Sequence, residues 1–209
     1  MKSILAFGDS LTWGYNASTG MRMAYEDRWP NVLAAGLNNK ARVIEEGMNG
    51  RTTVFDDSTV DEERNGAVGL PIALKSHQPL DLLIVMLGTN DLKHCRAFDA
   101  SMGMERLVKL TRNHSWSGTY TAPPIILMAP PCLVPTQNEW FNDLWGHKIE
   151  ESKLFAKHYV RMADEMGVHF FDAGSVAKAS DVDGGHLDVA GTRAIGAALV
   201  PVVKGILAF

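Results

Sequence analysis

Five short apolar runs recur along the chain, at Ser3–Phe7, Arg42–Glu45, Leu82–Leu87, Ile125–Ala129 and His169–Phe171. The first, third and fourth are apolar almost throughout and do not alternate with polar positions. That is the pattern of strands covered on both faces. The segments between them carry helical spacing. Trp29, Val32, Leu33 and Leu37 form one stripe, with Pro30 at a first-turn position. Met102, Leu107, Val108 and Leu110 form a second stripe, weakened by Gly103. The segment Asp143–Met166 reads as a third helix, carrying Leu144, Ile149, Leu154, Phe155, Tyr159 and Met162 and stopping at Gly167. A fourth runs from about Asp188 to Leu207, with a capping aspartate at its start. It holds Ile195, Leu199, Val202 and Val203 on its apolar side, and Pro201 marks a place for a kink.

Strand and helix alternate, which predicts an α/β fold with a parallel sheet between helical layers. Five strands favour a flavodoxin-like order, in which ligands bind beyond the carboxyl ends of the strands. Three connections are longer than a turn requires: Thr12–Asp27, Asn49–Arg64 and Pro130–Asn142. They follow the first, second and fourth predicted strands, so all three should open at one end of the sheet and frame a pocket there. No repeat, low-complexity linker or composition break divides residues 1–209, which read as a single domain.

Composition narrows the function classes. Hydrophobic residues make up 46% and charged residues 21% of the chain, values of a globular protein with a real core. The net charge of −4, without any run of Lys and Arg, argues against a nucleic-acid partner. The apolar runs read as shorter than a membrane span, and the N-terminal one as too short for a signal-peptide core. Cys95 and Cys132 form no CxxC pair, so neither a zinc site nor a disulfide framework is indicated. The expectation is a cytoplasmic, soluble protein.

Four segments at or beyond strand ends carry candidate chemistry. Gly8-Asp9-Ser10-Leu11 follows the first strand, where a serine projects from the end of the sheet beside a helix start. A serine hydroxyl needs a base within hydrogen-bond reach to act as a nucleophile; otherwise the tripeptide is simply a turn. Asp183-Gly184-Gly185-His186 lies between the fifth strand and the last helix, and its two glycines permit a turn that brings the carboxylate onto the imidazole. Such a carboxylate fixes the tautomer of the base and stabilises its protonated form. The other readings of this segment are an ordinary loop or a weak metal site with Asp181 and Asp188. Gly88-Thr89-Asn90-Asp91 closes the third strand, and Gly47-Met48-Asn49-Gly50-Arg51 follows the second. The Asn90 amide and the N–H groups of Gly50 and Ser10 are candidate donors to an oxyanion, although either segment alone also suits a turn. Arg51 reads either as a contact near these donors or as a salt bridge to Asp56, Asp57 or Glu46, the second being the simpler. Trp13, Asn49, Trp140, Phe141 and Trp145 lie in or beside the long connections and are candidate pocket residues; core packing is the alternative for the aromatics.

In this order the four segments resemble the signature blocks of the SGNH (GDSL-type) hydrolase family. The resemblance spans nearly the whole chain and rests on the joint occurrence of the blocks. It implies a three-layer α/β/α sandwich with a five-stranded parallel sheet. It implies Ser10, Asp183 and His186 as catalytic triad, and the Ser10 N–H, the Gly50 N–H and Asn90 as oxyanion hole, with neither metal nor cofactor. Phe7–Gly14, Ile44–Gly47, Arg51–Thr53 and Phe170–Ser175 further resemble the bacterial arylesterase/acyltransferase branch. Members of that branch act on short acyl esters, can pass the acyl group to alcohols or peroxide, and in some cases form large homo-oligomers. Asn49 departs from that branch, standing where its acyltransferases carry a small hydroxyl residue; the departure bears on transfer, not on ester cleavage.

The expected partner is thus a small-molecule ester, with neither nucleic acid nor membrane. A carbohydrate O-deacetylase using the same triad is the alternative enzyme. A non-catalytic binder on the same fold is a third reading, against which stands the absence of GxGxxG and Walker patterns.

Overall fold

The computed structural model describes residues 1–38 and 40–208. Five parallel strands form one sheet: β1 (Lys2–Gly8), β2 (Ala41–Gly47), β3 (Leu82–Met86), β4 (Ile125–Ala129) and β5 (His169–Asp172). Their order is β2-β1-β3-β4-β5, so the winding direction reverses between β1 and β3. The three inner strands are the three apolar runs, and the half-exposed β2 and β5 are the edges.

Because successive side chains in a strand point to opposite faces, each inner strand feeds two cores. Ile4, Ala6, Leu82, Ile84 and Met86 face helices α2 (Trp29–Gly36) and α8 (Val189–Leu207), meeting Trp29, Leu33, Ile195 and Leu199. Leu5, Phe7, Leu83 and Val85 face α3 (Gly66–His77), α4 (Ala97–Arg112) and α7 (Phe155–Met166), meeting Leu70, Leu74, Met104, Leu107 and Tyr159. The result is a three-layer α/β/α sandwich. Short helices complete the chain: α1 (Ser10–Trp13), α5 (Glu139–Trp145) and α6 (Ile149–Ser152).

Three expectations need amendment. Helix α3 lies in a stretch where no helix is expected, because Gly66, Gly69 and Pro71 hide it. Asn65 caps it, accepting the Ala67 N–H, and burial of Leu70, Ala73 and Leu74 stabilises it. The single helix expected over Asp143–Met166 is instead the end of α5, a 3₁₀ turn, α6 and α7. Ser152 lies at this break: its hydroxyl donates to the Ile149 carbonyl at 2.7 Å and accepts the Leu133 N–H at 2.9 Å. That second bond joins the break to the loop after β4, a tertiary contact that the local pattern does not contain. Finally, α8 at 19 residues is long and apolar enough to match a membrane span. Its Ile195, Leu199 and Val203 are buried against the sheet and α2.

Candidate active site

The site lies beyond the carboxyl ends of β1 and β3, at the point where the winding reverses. Gly8 ends β1, and Asp9 caps α1 by accepting the Leu11 N–H at 2.9 Å. Ser10 is the first residue of that helix, and the Thr12 and Trp13 N–H groups both donate to the Asp9 carbonyl. The helix has only four residues, so its local turn geometry positions Ser10 and the expected contribution of a helix start is small.

The far end of the chain returns to the same rim. His186 Nε2 lies 2.9 Å from Ser10 Oγ, and its Nδ1 lies 2.6 Å from Asp183 Oδ2. With Nδ1–H donating to the carboxylate, Nε2 is left as acceptor for the serine proton. The other oxygen, Oδ1, accepts the N–H groups of Gly185 at 3.0 Å and His186 at 2.9 Å. The tight turn requires Gly184, which has φ +77° and where a Cβ would approach the Val134 carbonyl to 2.6 Å. Burial pushes the Asp183 carboxyl up, but the His186 hydrogen bond and charge and the two N–H donors outweigh it and hold it below its usual value. Tyr15 and Phe141 flank the imidazole, with ring centroids at 4.2 and 5.8 Å.

Asn90 is buried at the end of β3, and its Nδ2 donates to the Arg51 carbonyl at 3.2 Å and more distantly to Asp9 Oδ2 at 3.4 Å. Gly50 has φ +78°, and a Cβ there would meet the Arg64 guanidinium at 2.6–2.8 Å. Among the described residues, the Ser10 and Gly50 N–H groups have no intramolecular acceptor. The loop holding Gly50 is anchored from beneath. Asp91 accepts the Thr53 N–H with both oxygens at 3.0 Å, and the Thr53 hydroxyl also donates to it. Arg51 is buried, lies over the Phe7 ring at 4.1 Å, and donates to the Gly8 carbonyl at 2.8 Å and to the Glu46 carbonyl. Among the described residues, the expected salt bridge from Arg51 to Asp56, Asp57 or the Glu46 carboxylate is replaced by these backbone contacts. It is Arg64 that reaches Asp57.

A cavity of about 250 Å³ opens over Ser10 and His186. Asn49, Trp140, Phe141 and Trp145 line it, together with Leu11, Tyr15, Arg64, Thr89, Lys93 and Leu144. Each of the three long connections contributes to this wall. Trp13 does not line it: Arg22 lies 5.1 Å from the Trp13 ring centroid and donates to its carbonyl, and Tyr15 occupies the wall instead. Lys93 was detectable as the residue one turn beyond Asn90, whereas nothing local singles out Tyr15 or Arg64. Among the described residues, no three His, Cys, Asp or Glu side chains converge as a metal site, and the donors around Asp183 belong to its own loop.

The model of the GDSL-like lipase/acylhydrolase family matches residues 6–194. The chain belongs to this family. Solved structures agree over the whole length. A carbohydrate acetylesterase family member from Sinorhizobium meliloti is 48% identical with a TM-score of 0.97, each chain covered to 100%. The aryl esterase of M. smegmatis is 40% identical with a TM-score of 0.94, covering 99% of this chain and 100% of its own. A second carbohydrate acetylesterase from Sinorhizobium meliloti is 38% identical with a TM-score of 0.93, again at 99% and 100% coverage. No curated protein sequence matches the chain. Family and neighbours together make the protein an ester hydrolase of the SGNH type.

Proposed function

We propose that this esterase cleaves short-chain, acetyl-like esters of aryl or alkyl alcohols through an acyl-Ser10 intermediate. Ser10 Oγ attacks the carbonyl carbon while His186 Nε2 takes the hydroxyl proton, and Asp183 stabilises the imidazolium. The carbonyl electrons move to oxygen, which accepts from Asn90 Nδ2 and from the N–H groups of Ser10 and Gly50. The adduct collapses, the C–O bond breaks, and the alcohol leaves with the proton from His186. Water then attacks the acyl-Ser10 ester, giving its proton to His186, and the acid departs as Ser10 recovers its hydrogen. No cofactor enters any step.

The observation that carries this reading is the 2.9 Å contact between Ser10 Oγ and His186 Nε2, side chains 176 residues apart in sequence. The short-acyl preference is supported by the cavity of about 250 Å³ and its wall of Trp140, Phe141, Leu144 and Trp145. The same apolar wall favours transfer of the acyl group to a second alcohol or to peroxide in competition with water.

The decisive experiment is Ser10→Ala, for which turnover falls on the order of a million-fold, by analogy with serine proteases, while the fold persists. A fluorophosphonate should label Ser10 and no other serine; label elsewhere rejects the assignment. A second reading, a carbohydrate O-deacetylase with the same groups, is favoured by the names of two relatives. Comparing phenyl acetate with an acetylated xylose distinguishes the two, since the deacetylase prefers the sugar.

A further inference from the structure

We propose that the pocket selects esters that carry a second, ionised carboxylate, seated by Lys93 and Arg64. This deepens the reading of Ser10 as nucleophile and rests on it. The lysine and arginine residues lining the cavity are Lys93 and Arg64, and no aspartate or glutamate is among the lining residues described. The protein as a whole is negative, with a net charge of −4, so this cationic wall is a local reversal rather than part of a basic surface.

Among the described residues, the two cations share one close anion. Asp57 Oδ2 lies 3.0 Å from Arg64 Nη1 and 3.8 Å from Lys93 Nζ, and the Asp57 side chain is 5% exposed. Glu62 reaches Arg64 Nη2 only at 3.8 Å from a side chain that is 65% exposed, where water and salt screen it. Asp9 also attracts Lys93, but it lies buried beneath Ser10, with its oxygens directed to Leu11 and Asn90. One close carboxylate facing two cations leaves positive charge at the wall.

The cations are also fixed and short of partners. Lys93 Nζ lies 5.5 Å from the Trp145 ring centroid, and Trp145 is itself a wall residue. Burial pulls the Lys93 ammonium below its ordinary value, and the neighbouring Arg64 adds to the effect. Arg64 Nε is buried and has no acceptor among the described residues, and the guanidinium lies against Gly50. A carboxylate entering here replaces lost hydration with charge-assisted hydrogen bonds.

Matched esters test the proposal. In one pair, 4-acetoxybenzoate is compared with 4-acetoxybenzamide, which puts the charge on the alcohol side. In the other, phenyl hydrogen adipate is compared with the phenyl ester of adipamic acid, which puts it on the acyl side. In at least one pair the carboxylate should be preferred in kcat/KM by about tenfold at low salt, mainly through KM. That ratio should shrink several-fold in about 0.5 M NaCl. It should also collapse to about one in Lys93→Met, with Lys93→Gln as the second variant and circular dichroism as the check on folding of both. A ratio at or below one in both pairs, or a ratio unmoved in both Lys93 variants, overturns the proposal while turnover of the neutral esters leaves the esterase reading intact. Absence of turnover on all four esters removes both.

Discussion

Two regions of this molecule bury aspartates within one site, and they treat them in opposite ways. In the loop before α8, Asp183 is surrounded by donors: the His186 imidazole and the N–H groups of Gly185 and His186. Its carboxyl is held below the ordinary value. Beneath the oxyanion side, burial pushes Asp9 up to about 6 against the pull of Leu11, His186 and Arg51. There burial also pushes Asp91 up to about 7 against its bonds to Thr53, and the nearby Asp9 pushes it further. Burial acts on all three; it prevails at Asp9 and Asp91, whereas at Asp183 the imidazole and the two N–H donors outweigh it. The first carboxylate is kept ionised to face a base that gains charge, whereas the other two form a scaffold that holds a loop and an amide.

The largest test of this contrast is Asp183→Asn. The amide cannot fix the productive tautomer, and kcat should fall about ten-thousandfold, as for the equivalent change in serine proteases. Retention of more than a tenth of the wild-type rate would remove Asp183 from its role in orienting His186. Next comes Asp9→Asn, which disturbs the carboxylate nearest to Asn90 Nδ2. We expect kcat to fall by about a hundredfold with KM little changed, the cost of misaligning one oxyanion donor. A loss confined to thermal stability would instead make Asp9 a scaffold for α1 alone.

The scaffold pair makes a prediction about pH with a definite sign. A carboxyl raised in the folded state contributes stability that is complete below the unfolded value near 3.8. That contribution is lost as pH rises through the folded values of about 6 and about 7. Urea unfolding should therefore show stability falling between pH 4 and 7, by on the order of 3 kcal/mol for each group. Asp91→Asn should reduce this slope by about half; an unchanged slope would assign the effect to other groups. Asp183 and Asp57, both lowered, act in the opposite direction. Their contribution is present above the ordinary carboxylate value and is lost in stronger acid, which should put the stability maximum in mild acid. The smallest effect belongs to Trp140→Ala. Trp140 is 65% exposed and packs edge-on against Phe141 at 4.8 Å, so a several-fold rise in KM for aryl esters with kcat preserved is expected.

The sequence by itself determined the sheet and its chemistry-bearing ends. Strands buried on both faces must be apolar throughout, so β1, β3 and β4 could be read directly from Ile, Leu and Val runs, and helix alternation then fixed the layering. Ser10, Asn90, Gly50 and the Asp183–His186 pair were legible because four short segments, each an ordinary turn or loop if taken alone, occur together in the order that resembles the SGNH blocks. Only tertiary structure decided what depends on contacts between distant segments. Helix α3 exists because a core accepts Leu70 and Leu74 despite two glycines and a proline, and the break at Ser152 is joined by hydrogen bond to a residue nineteen positions earlier. The side chains around the nucleophile follow the same rule. Trp13 is taken by Arg22, Tyr15 packs on His186, and Arg64 reaches the pocket wall because Gly50 leaves room for its guanidinium. Local propensity carries no record of such partners, since their positions are set by the free energy of packing the whole chain.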